Sequence, residues 1–372
     1  MLTIGITGQH GFIGRHLYNS IGLLPESYKL IDFQNQFFEK QKHLDAFVSQ
    51  CNVIVHLAAM NRHSDPEVIY NTNIELVEKL VASLERTNSK AHIIMSSSSQ
   101  EEKDNLYGKS KKEGRKLFLN WKNNSKGFFS GLIIPNVFGP FAKPNYNSVV
   151  ATFCHKVANS EKPEIHVDGT VSLIYVGELV QEILSVIEKR VSHKRLIIKA
   201  TTNLKVSEIL NLISLYKSKY QDCGEIPTIN SSFELNLFNT YRCYMDIKNH
   251  FPVKFTQHSD SRGSFVEIIR LGIGGQISFS TTVPGITRGN HFHTRKIERF
   301  AVIKGKALIQ LRKIGTDEVL DFYLDGDEPA YVDMPIWYTH NIKNIGDEVL
   351  YTNFWINEAY NPEDADTYFV EV

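Results

Sequence analysis

Residues 285–305, GITRGNHFHTRKIERFAVIKG, constrain the fold of this chain more than any other stretch. His291 and His293 alternate with Phe292, as they would on a β-strand, because successive side chains of a strand point to opposite faces. Four residues separate His293 from Glu298, which is enough chain to turn and return on a neighbouring strand. The sequence therefore predicts β-structure in which two imidazoles and a carboxylate converge.

A fourth candidate ligand, His340, lies in the later run PIWYTHNIKN. Three imidazole nitrogens and one carboxylate oxygen suit a divalent transition metal far better than calcium or magnesium, which prefer oxygen ligands. We expect zinc, with iron, manganese, nickel and copper as alternatives. The predicted ligands are His291, His293, Glu298 and His340.

These two runs resemble the motifs of the cupin family. The first motif is matched in every interval by Gly285, His291, His293, Glu298 and Gly305. The second is matched by Gly326, Pro335, His340 and Asn344, with Trp337 standing where the family usually has glycine. The resemblance implies a C-terminal all-β jelly roll, or double-stranded β-helix, that binds a metal. The alternative is that these are surface histidines of a β-barrel.

Length and composition limit the remaining possibilities. A chain of 372 residues exceeds one ordinary domain, so two or three domains are expected. The formal net charge of +0 gives no sign of a nucleic-acid partner or of an anionic membrane. The four cysteines lack C-x-x-C spacing, and no stretch approaches the ~20 apolar residues of a membrane span. We expect reduced thiols and a cytoplasmic protein with no nucleic-acid or membrane partner.

At the other end of the chain, an apolar strand candidate at residues 2–7 leads at once into the glycines of GQHGFIG. Glycines at this spacing let the backbone turn tightly and let a helix N-terminus face a pyrophosphate. Asp32 ends the next short strand and can accept hydrogen bonds from a ribose 2′-hydroxyl, which favours NAD over NADP. The predicted cofactor-binding residues here are Gly8, Gly11, Phe12, Ile13, Gly14, Arg15, Asp32, Leu57, Ala58 and Ala59.

Tyr107 and Lys111, in YGKSK, are spaced so that they share one face of a helix. They follow a strand candidate that ends in four serines, residues 96–99. A lysine cation is expected to lower the pKa of the phenol, and the tyrosine can then give a proton to a carbonyl oxygen while a hydride arrives at its carbon. A serine hydroxyl would hold that oxygen. Tyr-x-x-x-Lys alone is common by chance, but this order of elements favours catalysis.

Residues 1 to about 240 resemble the extended short-chain dehydrogenase/reductases, since TGQHGFIG, HLAA, the serine loop, YGKSK and PNVFGP stand in family order. The resemblance implies an α/β Rossmann-type doubly wound parallel sheet. It implies Tyr107 as general acid, Lys111 on the nicotinamide ribose, and Ser98 or Ser99 on the carbonyl. Asn136 and Asn145 are candidates for contacting a sugar nucleotide, although loop asparagines more often serve turns.

A change of pattern marks a domain boundary. Residues 225–251 lack the helical periodicity of apolar residues seen before them and are richer in Pro, Asn and Ser. Short runs of alternating apolar and polar residues follow to the end of the chain. We therefore predict a reductase domain at residues 1–243 and a cupin domain at residues 244–372.

As a whole, the chain resembles the bifunctional capsular-polysaccharide enzymes that make the nucleotide precursor of N-acetyl-L-fucosamine. The likeness includes DNLYGKSK, KPNYNSV, DSRGSF, PGITRGNH and PEDADTYF. It implies a homodimer whose cupin half epimerises C3 of a UDP-linked 4-keto-6-deoxy-N-acetylhexosamine and whose reductase half reduces C4 with NADPH. Asp32 departs from this expectation because it would repel a 2′-phosphate. Arg15 could reach that phosphate instead, and NAD stays open.

Several alternatives remain at this point. Lys296 is a candidate for moving the C3 proton, as are Tyr331 and Tyr338, and each could equally be barrel surface. The substrate could be another nucleotide-linked 4-keto-deoxysugar, epimerised at a different carbon. The cupin could be a structural, dimerisation or sugar-binding module without turnover, or a dioxygenase fused to a dehydrogenase.

Overall fold

The computed structural model describes residues 1–260, 263–266, 268–269, 274–358 and 361–372. Two residues of the DSRGSF motif, 261 and 262, lie outside this part. The described helices are α1 (Phe12–Gly22), α2 (Gln41–Gln50), α3 (Pro66–Arg86), α4 (Leu106–Asn123), α5 (Val149–Ala158), α6 (Val176–Lys189), α7 (Val206–Tyr216), α8 (Ser232–Arg242) and α9 (Ile247–His250).

The described strands fall into a first group that precedes α9 and a second group that follows it. The first group is β1 (Leu2–Thr7), β2 (Tyr28–Ile31), β3 (Val53–His56), β4 (His92–Ser98), β5 (Phe128–Ile134), β6 (Asn136–Phe138), β7 (Thr170–Tyr175), β8 (His193–Ile197) and β9 (Thr202–Lys205). The second group is β10 (Val253–Lys254), β11 (Gln257–Asp260), β12 (Gly263–Val266), β13 (Gln276–Thr282), β14 (Thr287–Phe292), β15 (Glu298–Lys304), β16 (Lys306–Lys313), β17 (Val319–Asp325), β18 (Ala330–Met334), β19 (Tyr338–Asn344), β20 (Leu350–Ile356) and β21 (Tyr368–Phe369).

By packing, the chain divides into two compact units. The first comprises residues 1–152 and 167–206, and the second comprises residues 153–166 and 207–372. Residues 207–243, which the sequence assigned to the first domain, pack within the second unit. The functional boundary between residues 243 and 244 stays a prediction.

The first unit is built on a six-stranded parallel sheet with the order β2-β1-β3-β4-β5-β8. Its strands are apolar because helices cover both faces: Val53 and Val55 of β3 belong to one buried cluster, and Ile54 between them belongs to the cluster on the other face. The strand order reverses between β1 and β3, which is where sheets of this kind bind ligands. The predicted Rossmann-type doubly wound sheet is confirmed.

The second unit carries two five-stranded antiparallel sheets, β10-β18-β15-β20-β13 and β17-β16-β19-β14-β21. Residues of both sheets, among them Val302 and Val332, form one buried apolar cluster, and in β16 the cluster takes every second residue, Ala307, Ile309 and Leu311. Alternation with a period of two fits strands that bury one face and expose the other. The predicted all-β C-terminal fold is confirmed.

A buried ionic network explains why residues 207–243 pack on the second unit. Asp333 of β18 is 0% exposed and accepts hydrogen bonds from Arg299 Nε at 2.8 Å and Nη2 at 3.0 Å. It also accepts from the hydroxyl of Tyr220, and Arg242 Nη2 of α8 donates to the Met334 carbonyl at 3.0 Å. A buried carboxylate needs such partners, since an unpaired charge is costly inside a protein. The polar residues of this segment therefore anchor it to the barrel.

Two expectations about the chain as a whole can be compared with the structure. All four cysteines are free thiols, as expected, and Cys51 and Cys154 are buried. Among the described residues, no helix combines the length and the apolar character needed to cross a membrane.

Candidate active sites

The turn between β1 and α1 requires glycine at two positions. Gly8 has φ +78°, a left-handed conformation, and a Cβ there would lie 2.8 Å from the amide nitrogen of Ala58. A Cβ on Gly14 would lie 2.1 Å from the carbonyl oxygen of Gly8. Both positions therefore exclude a side chain, because the helix must start directly against the turn. The result is a helix N-terminus that faces the end of the sheet.

A cavity of about 610 Å³ lies at the carboxyl ends of β1, β3, β4 and β5. Thirteen of the residues predicted from the sequence line it: Gly8, Gly11, Phe12, Ile13, Gly14, Arg15, Leu57, Ala59, Ser98, Ser99, Tyr107, Lys111 and Asn136. Four residues that the sequence did not single out individually also line it: Lys143, Tyr146, Asn147 and Ser148. They belong to the polar and aromatic KPNYNSV run, which was the available signal.

Three predicted residues lie outside this lining. Ala58 packs behind Gly8, as the short distance from a Gly8 Cβ shows. Asp32 is exposed and accepts a hydrogen bond from the Tyr18 hydroxyl at 2.8 Å. Asn145 has φ +54°, and its main-chain N–H donates to Thr152 Oγ1 at 3.0 Å, so the residue stabilises the conformation of its loop.

Tyr107 and Lys111 lie on α4, with the lysine Nζ 5.9 Å from the centroid of the phenol ring. Lys111 is buried, its Nζ donates to the Ser96 carbonyl at 3.0 Å, and burial lowers its pKa to about 8. Burial, together with nearby Tyr146, raises the pKa of Tyr107 to about 12. The expected lowering of the phenol pKa is therefore not seen, because burial disfavours the phenolate. At neutral pH Tyr107 carries the proton that a general acid needs.

The serines before α4 have different partners. The Ser97 hydroxyl donates to Glu101, which is buried and bound by Arg115 through Nε at 2.9 Å and Nη2 at 2.8 Å. Ser98 Oγ accepts from the Gln100 amide at 3.1 Å, and Ser99 is exposed. Since Arg115 lies on α4, the Glu101–Arg115 pair ties the serine loop to the helix of Tyr107 and Lys111. This tie was not found from the sequence.

In the second unit, the structure brings all four predicted metal ligands together. His291 of β14 lies opposite His340 of β19, and Glu298 begins β15. The Nε2 atoms of His291, His293 and His340 lie 3.9, 3.0 and 3.1 Å from Glu298 Oε2. One ligand atom from each residue lies within 4.8 Å of the other three. A tetrahedral zinc with bonds of about 2.0–2.1 Å needs its ligand atoms about 3.3 Å apart, so the spacing fits.

The protonation of the cluster also fits a cation. Burial alone would raise the pKa of Glu298, but the three imidazoles beside it outweigh burial and hold that pKa well below its usual value. Burial lowers the pKa of His340, whose Nδ1 is 3.3 Å from the Tyr338 carbonyl oxygen. Among the described residues, its buried Nε2 finds no hydrogen-bond donor. A neutral imidazole with its proton on Nδ1 directs a lone pair at Glu298. A metal ion would satisfy both acceptors.

Trp337 occupies the position where the cupin motif has glycine, and the structure shows how it is accommodated. Its φ is +62°, the left-handed conformation that glycine adopts readily. The indole stacks on Phe292 at a centroid distance of 5.3 Å, and the Trp337 amide donates to the His293 carbonyl at 2.8 Å. The turn is thus kept, and the larger side chain packs beside the ligands.

The three candidates for proton transfer have different surroundings. Lys296 is 2% exposed, and its Nζ donates to the Ala365 carbonyl at 2.7 Å. Tyr331 lies beneath Arg299, with the guanidinium carbon 3.8 Å from the ring centroid. Tyr338 is half-buried, and burial raises its pKa. Their roles stay predictions.

Two protein-family models match the chain. The NAD-dependent epimerase/dehydratase family matches residues 4–201, more than half of the chain, and the polysaccharide biosynthesis C-terminal domain matches residues 258–368. The chain belongs to the NAD-dependent epimerase/dehydratase family. It is therefore an NAD(P)-dependent enzyme, and the glycine turn, the cavity and the Tyr107–Lys111 pair lie within the first matched range.

Two relatives match this chain over nearly its full length, and a third matches about two thirds of it. It is 30% identical to UDP-2-acetamido-2,6-β-L-arabino-hexul-4-ose reductase of Pseudomonas aeruginosa, over 99% of this chain and 98% of that one. It is 33% identical to the crystal structure of the capsular polysaccharide assembling protein CapF from Staphylococcus aureus, with 100% of both chains covered and a TM-score of 0.65. The UDP-glucose 4-epimerase of Thermotoga maritima is 19% identical over 65% of this chain and 98% of that one, with a TM-score of 0.56, and shares the fold.

Proposed function

We propose that this chain is a bifunctional nucleotide-sugar enzyme. The C-terminal half epimerises C3 of UDP-2-acetamido-2,6-dideoxy-4-hexulose. The N-terminal half reduces the C4 ketone with NADPH to UDP-N-acetyl-6-deoxy-L-talosamine, a precursor of UDP-N-acetyl-L-fucosamine for capsule or O-antigen polysaccharide. The observation that carries this proposal is the presence, on one chain, of the Tyr107–Lys111 pair in a dinucleotide cleft and of a four-ligand His/Glu cluster. The name of the Pseudomonas relative, a 4-keto sugar reductase, supports the substrate class.

Epimerisation at C3 is assigned to the metal-ligand cluster. A hydrogen on C3 is acidic because the C4 ketone can take up the negative charge left when the proton departs. A bound dication, for which we propose zinc held by His291, His293, Glu298 and His340, would supply electrostatic stabilisation of that charge. The proton leaves one face of C3 for a base on that face, and water supplies a proton to the opposite face. Lys296 is the proposed carrier, and it must exchange its bond to the Ala365 carbonyl for the substrate.

Reduction at C4 is assigned to the nucleotide cleft. NADPH, when bound, supplies the hydride to C4. Tyr107 donates its proton to the carbonyl oxygen, which its raised pKa allows, and Lys111 holds the nicotinamide ribose. We propose Ser98 for the hydrogen bond to the carbonyl, because the Ser97 hydroxyl is engaged by Glu101 and Ser99 is exposed. Asn136 is the proposed sugar contact in this cleft, with Asn145 as part of the adjoining loop.

Two side chains bear on the preference between NADPH and NAD as coenzyme. Arg15 lines the cavity and could pair with a 2′-phosphate, whereas Asp32 is exposed and bonded to Tyr18. We propose NADPH, with NAD as the alternative that a comparison of kcat/KM for the two coenzymes decides. We further propose a cytoplasmic homodimer, with residues 1–243 and 244–372 as the functional halves.

Product analysis tests the proposed function. The protein is incubated with the UDP-linked 4-keto-6-deoxy-N-acetylhexosamine, zinc and NADPH, and proton coupling constants define the configuration at C3 and C4 of the product. We expect inversion at C3 together with an alcohol at C4. An alcohol formed without inversion would favour the alternative, a reductase whose second unit has a structural, dimerisation or sugar-binding role. Oxygen consumption would favour a dioxygenase.

A further inference from the structure

The C-terminal segment, residues 361–372, contacts the turn between His293 and Glu298. None of its residues belongs to the described apolar core of the barrel, in which the last member is Leu350 with Phe354 packed against it. Its central residue, Asp366, is nevertheless 5% exposed and has φ +43°. Strand β21 pairs with β14 and stacks Tyr368 on Phe292, whereas the polar contacts of Asp366 converge on one turn.

The Asp366 carboxylate collects four donors from residues 294–296. It accepts from the Thr294 amide at 3.1 Å, the Thr294 hydroxyl at 2.6 Å, the Arg295 amide at 3.0 Å and the Lys296 amide at 3.1 Å. Three successive amides in a tight turn cannot be satisfied by strand pairing, so a charged acceptor stabilises this conformation. The turn joins His293 to Glu298, so its shape sets the spacing of two ligands.

The same residue also contacts a ligand directly. The main-chain oxygen of Asp366 accepts a hydrogen bond from His293 Nδ1. With Nδ1 as the donor, the neutral tautomer of His293 carries its lone pair on Nε2, which lies 3.0 Å from Glu298 Oε2 and is the atom that would bind a metal. Asp366 thus determines the orientation of His293 through its carbonyl and the path of the following turn through its carboxylate.

We propose that Asp366 is a positioning residue of the metal site, and this inference rests on the metal site of the proposed function. Asp366 acts through His293 and the turn 294–296, without touching metal or substrate. Through these hydrogen bonds, the C-terminal segment holds His293 and the turn 294–296 in place at the metal site. Loss of an outer-shell partner of this kind costs about 10- to 100-fold in metal affinity.

Zinc affinity of Asp366→Asn tests the proposal. Asparagine keeps the size of the side chain and tolerates a positive φ, but its amide group cannot accept from all four donors. We expect zinc affinity, measured by competition with a chromophoric chelator, to fall about 10- to 100-fold. We also expect the ligand-field spectrum of the cobalt(II) form to change. With saturating zinc, deuterium exchange at C3 should return to near the wild-type rate.

Asp364→Asn is the matched control. Asp364 lies in the same segment, but its side chain is 65% exposed and pairs with Arg295, with Oδ2 2.8 Å from Nη2. We expect its zinc affinity to stay near the wild-type value. Equal losses in the two variants would overturn the proposal, since the effect would then be one of net charge.

Two further outcomes separate this inference from the function on which it rests. If wild-type protein binds no zinc or other transition metal, the proposed metal site itself fails. If wild-type protein binds zinc and Asp366→Asn binds it equally well, the site stands and the inference alone is overturned. The melting temperature of the metal-free variant serves as the folding check. A large fall in that temperature with unchanged zinc affinity would make Asp366 a structural residue only, and would also overturn the inference.

Discussion

In the first unit, the cavity is lined by residues at the ends of four parallel strands, whereas in the second unit the candidate ligands lie on or beside three antiparallel strands. The cavity of the first unit depends on backbone geometry, with Gly8 and Gly14 leaving room for a helix start. The metal-ligand cluster depends on pairing register, since His291 faces its partner His340 across the sheet. Because a register shift of one residue reverses every side chain, the second site is far more sensitive to strand pairing than the first.

The two sites also differ in charge. The first contains a buried cation, Lys111, with a pKa lowered to about 8 by burial. The second contains a buried carboxylate, Glu298, whose pKa is held well below its usual value. The first site is therefore suited to a negatively charged or electron-rich group, and the second to a metal cation. A substitution at one site should therefore leave the reaction at the other site unchanged.

The largest effect is expected from Tyr107→Phe. Removal of the proton donor should lower the rate of C4 reduction by about 10²- to 10⁴-fold, the usual contribution of general acid catalysis. Deuterium exchange at C3 should continue at the wild-type rate. NADPH oxidation in single turnovers measures the first rate, and Tyr323→Phe, an exposed tyrosine of the barrel, is the control. A parallel loss of exchange in folded Tyr107→Phe would contradict the independence of the sites.

His340→Ala should have the converse effect. His340 is 0% exposed and part of the four-ligand cluster, so metal affinity should fall by at least about 100-fold, more than for an outer-shell change. Exchange at C3 should stop, while reduction of substrate that Tyr107→Phe protein has already epimerised should proceed. A mixture of the two variants should therefore restore full conversion. Failure of the mixture, with both variants folded, would show that the intermediate does not pass between chains.

Gly14→Ala tests whether the turn between β1 and α1 requires a residue without a side chain. Its Cβ would lie 2.1 Å from the Gly8 carbonyl oxygen, so we expect a loss of about 1–3 kcal/mol in the free energy of unfolding, as for overpacking in a core. NADPH affinity should fall as well. Gly22→Ala, near the end of the same helix with nothing within 4 Å, should be neutral or stabilise by up to about 1 kcal/mol. Denaturant titration of the two variants gives both values.

The smallest effect is expected from pH. In its proposed role on the nicotinamide ribose Lys111 must be protonated, and burial lowers its pKa from 10.5 to about 8. Protonation is therefore complete well below pH 8 and is lost above it, so kcat/KM for reduction should fall about tenfold between pH 7 and pH 9. Tyr107, with a pKa of about 12, stays protonated throughout. Lys111→Arg should move the fall to higher pH, and an unchanged profile would assign it to another group.

The site residues that could be predicted from the sequence belong to short local motifs. The glycine turn, Tyr107 with Lys111, and the alternating histidines with Glu298 each lie within a few residues of chain, where period and spacing are visible. The partners of these groups lie far away. Asp366 is 72 residues from Thr294, and no spacing rule connects them. The raised pKa of Tyr107 likewise depends on burial, which a motif does not show.

Contacts between residues far apart in the sequence fix the positions of two segments, residues 207–243 and the serine loop. Residues 207–243 look like a continuation of the first domain in sequence, but Tyr220 and Arg242 contact the buried region around Asp333. Glu101 and Arg115 are separated by 14 residues and form a buried pair that fixes the serine loop. Both cases are buried polar networks, whose members are recognised only when their partners are known.

Proton exchange and reduction measured in one sample test the central claim most directly. The UDP-linked 4-keto-6-deoxy-N-acetylhexosamine is incubated with zinc-loaded protein in deuterated water and followed by NMR, before and after addition of NADPH. We expect deuterium to enter C3 before the coenzyme is added, and the C4 ketone to be reduced only afterwards. Reduction without prior exchange at C3, in protein with a full metal complement, would contradict the account and leave a simple reductase.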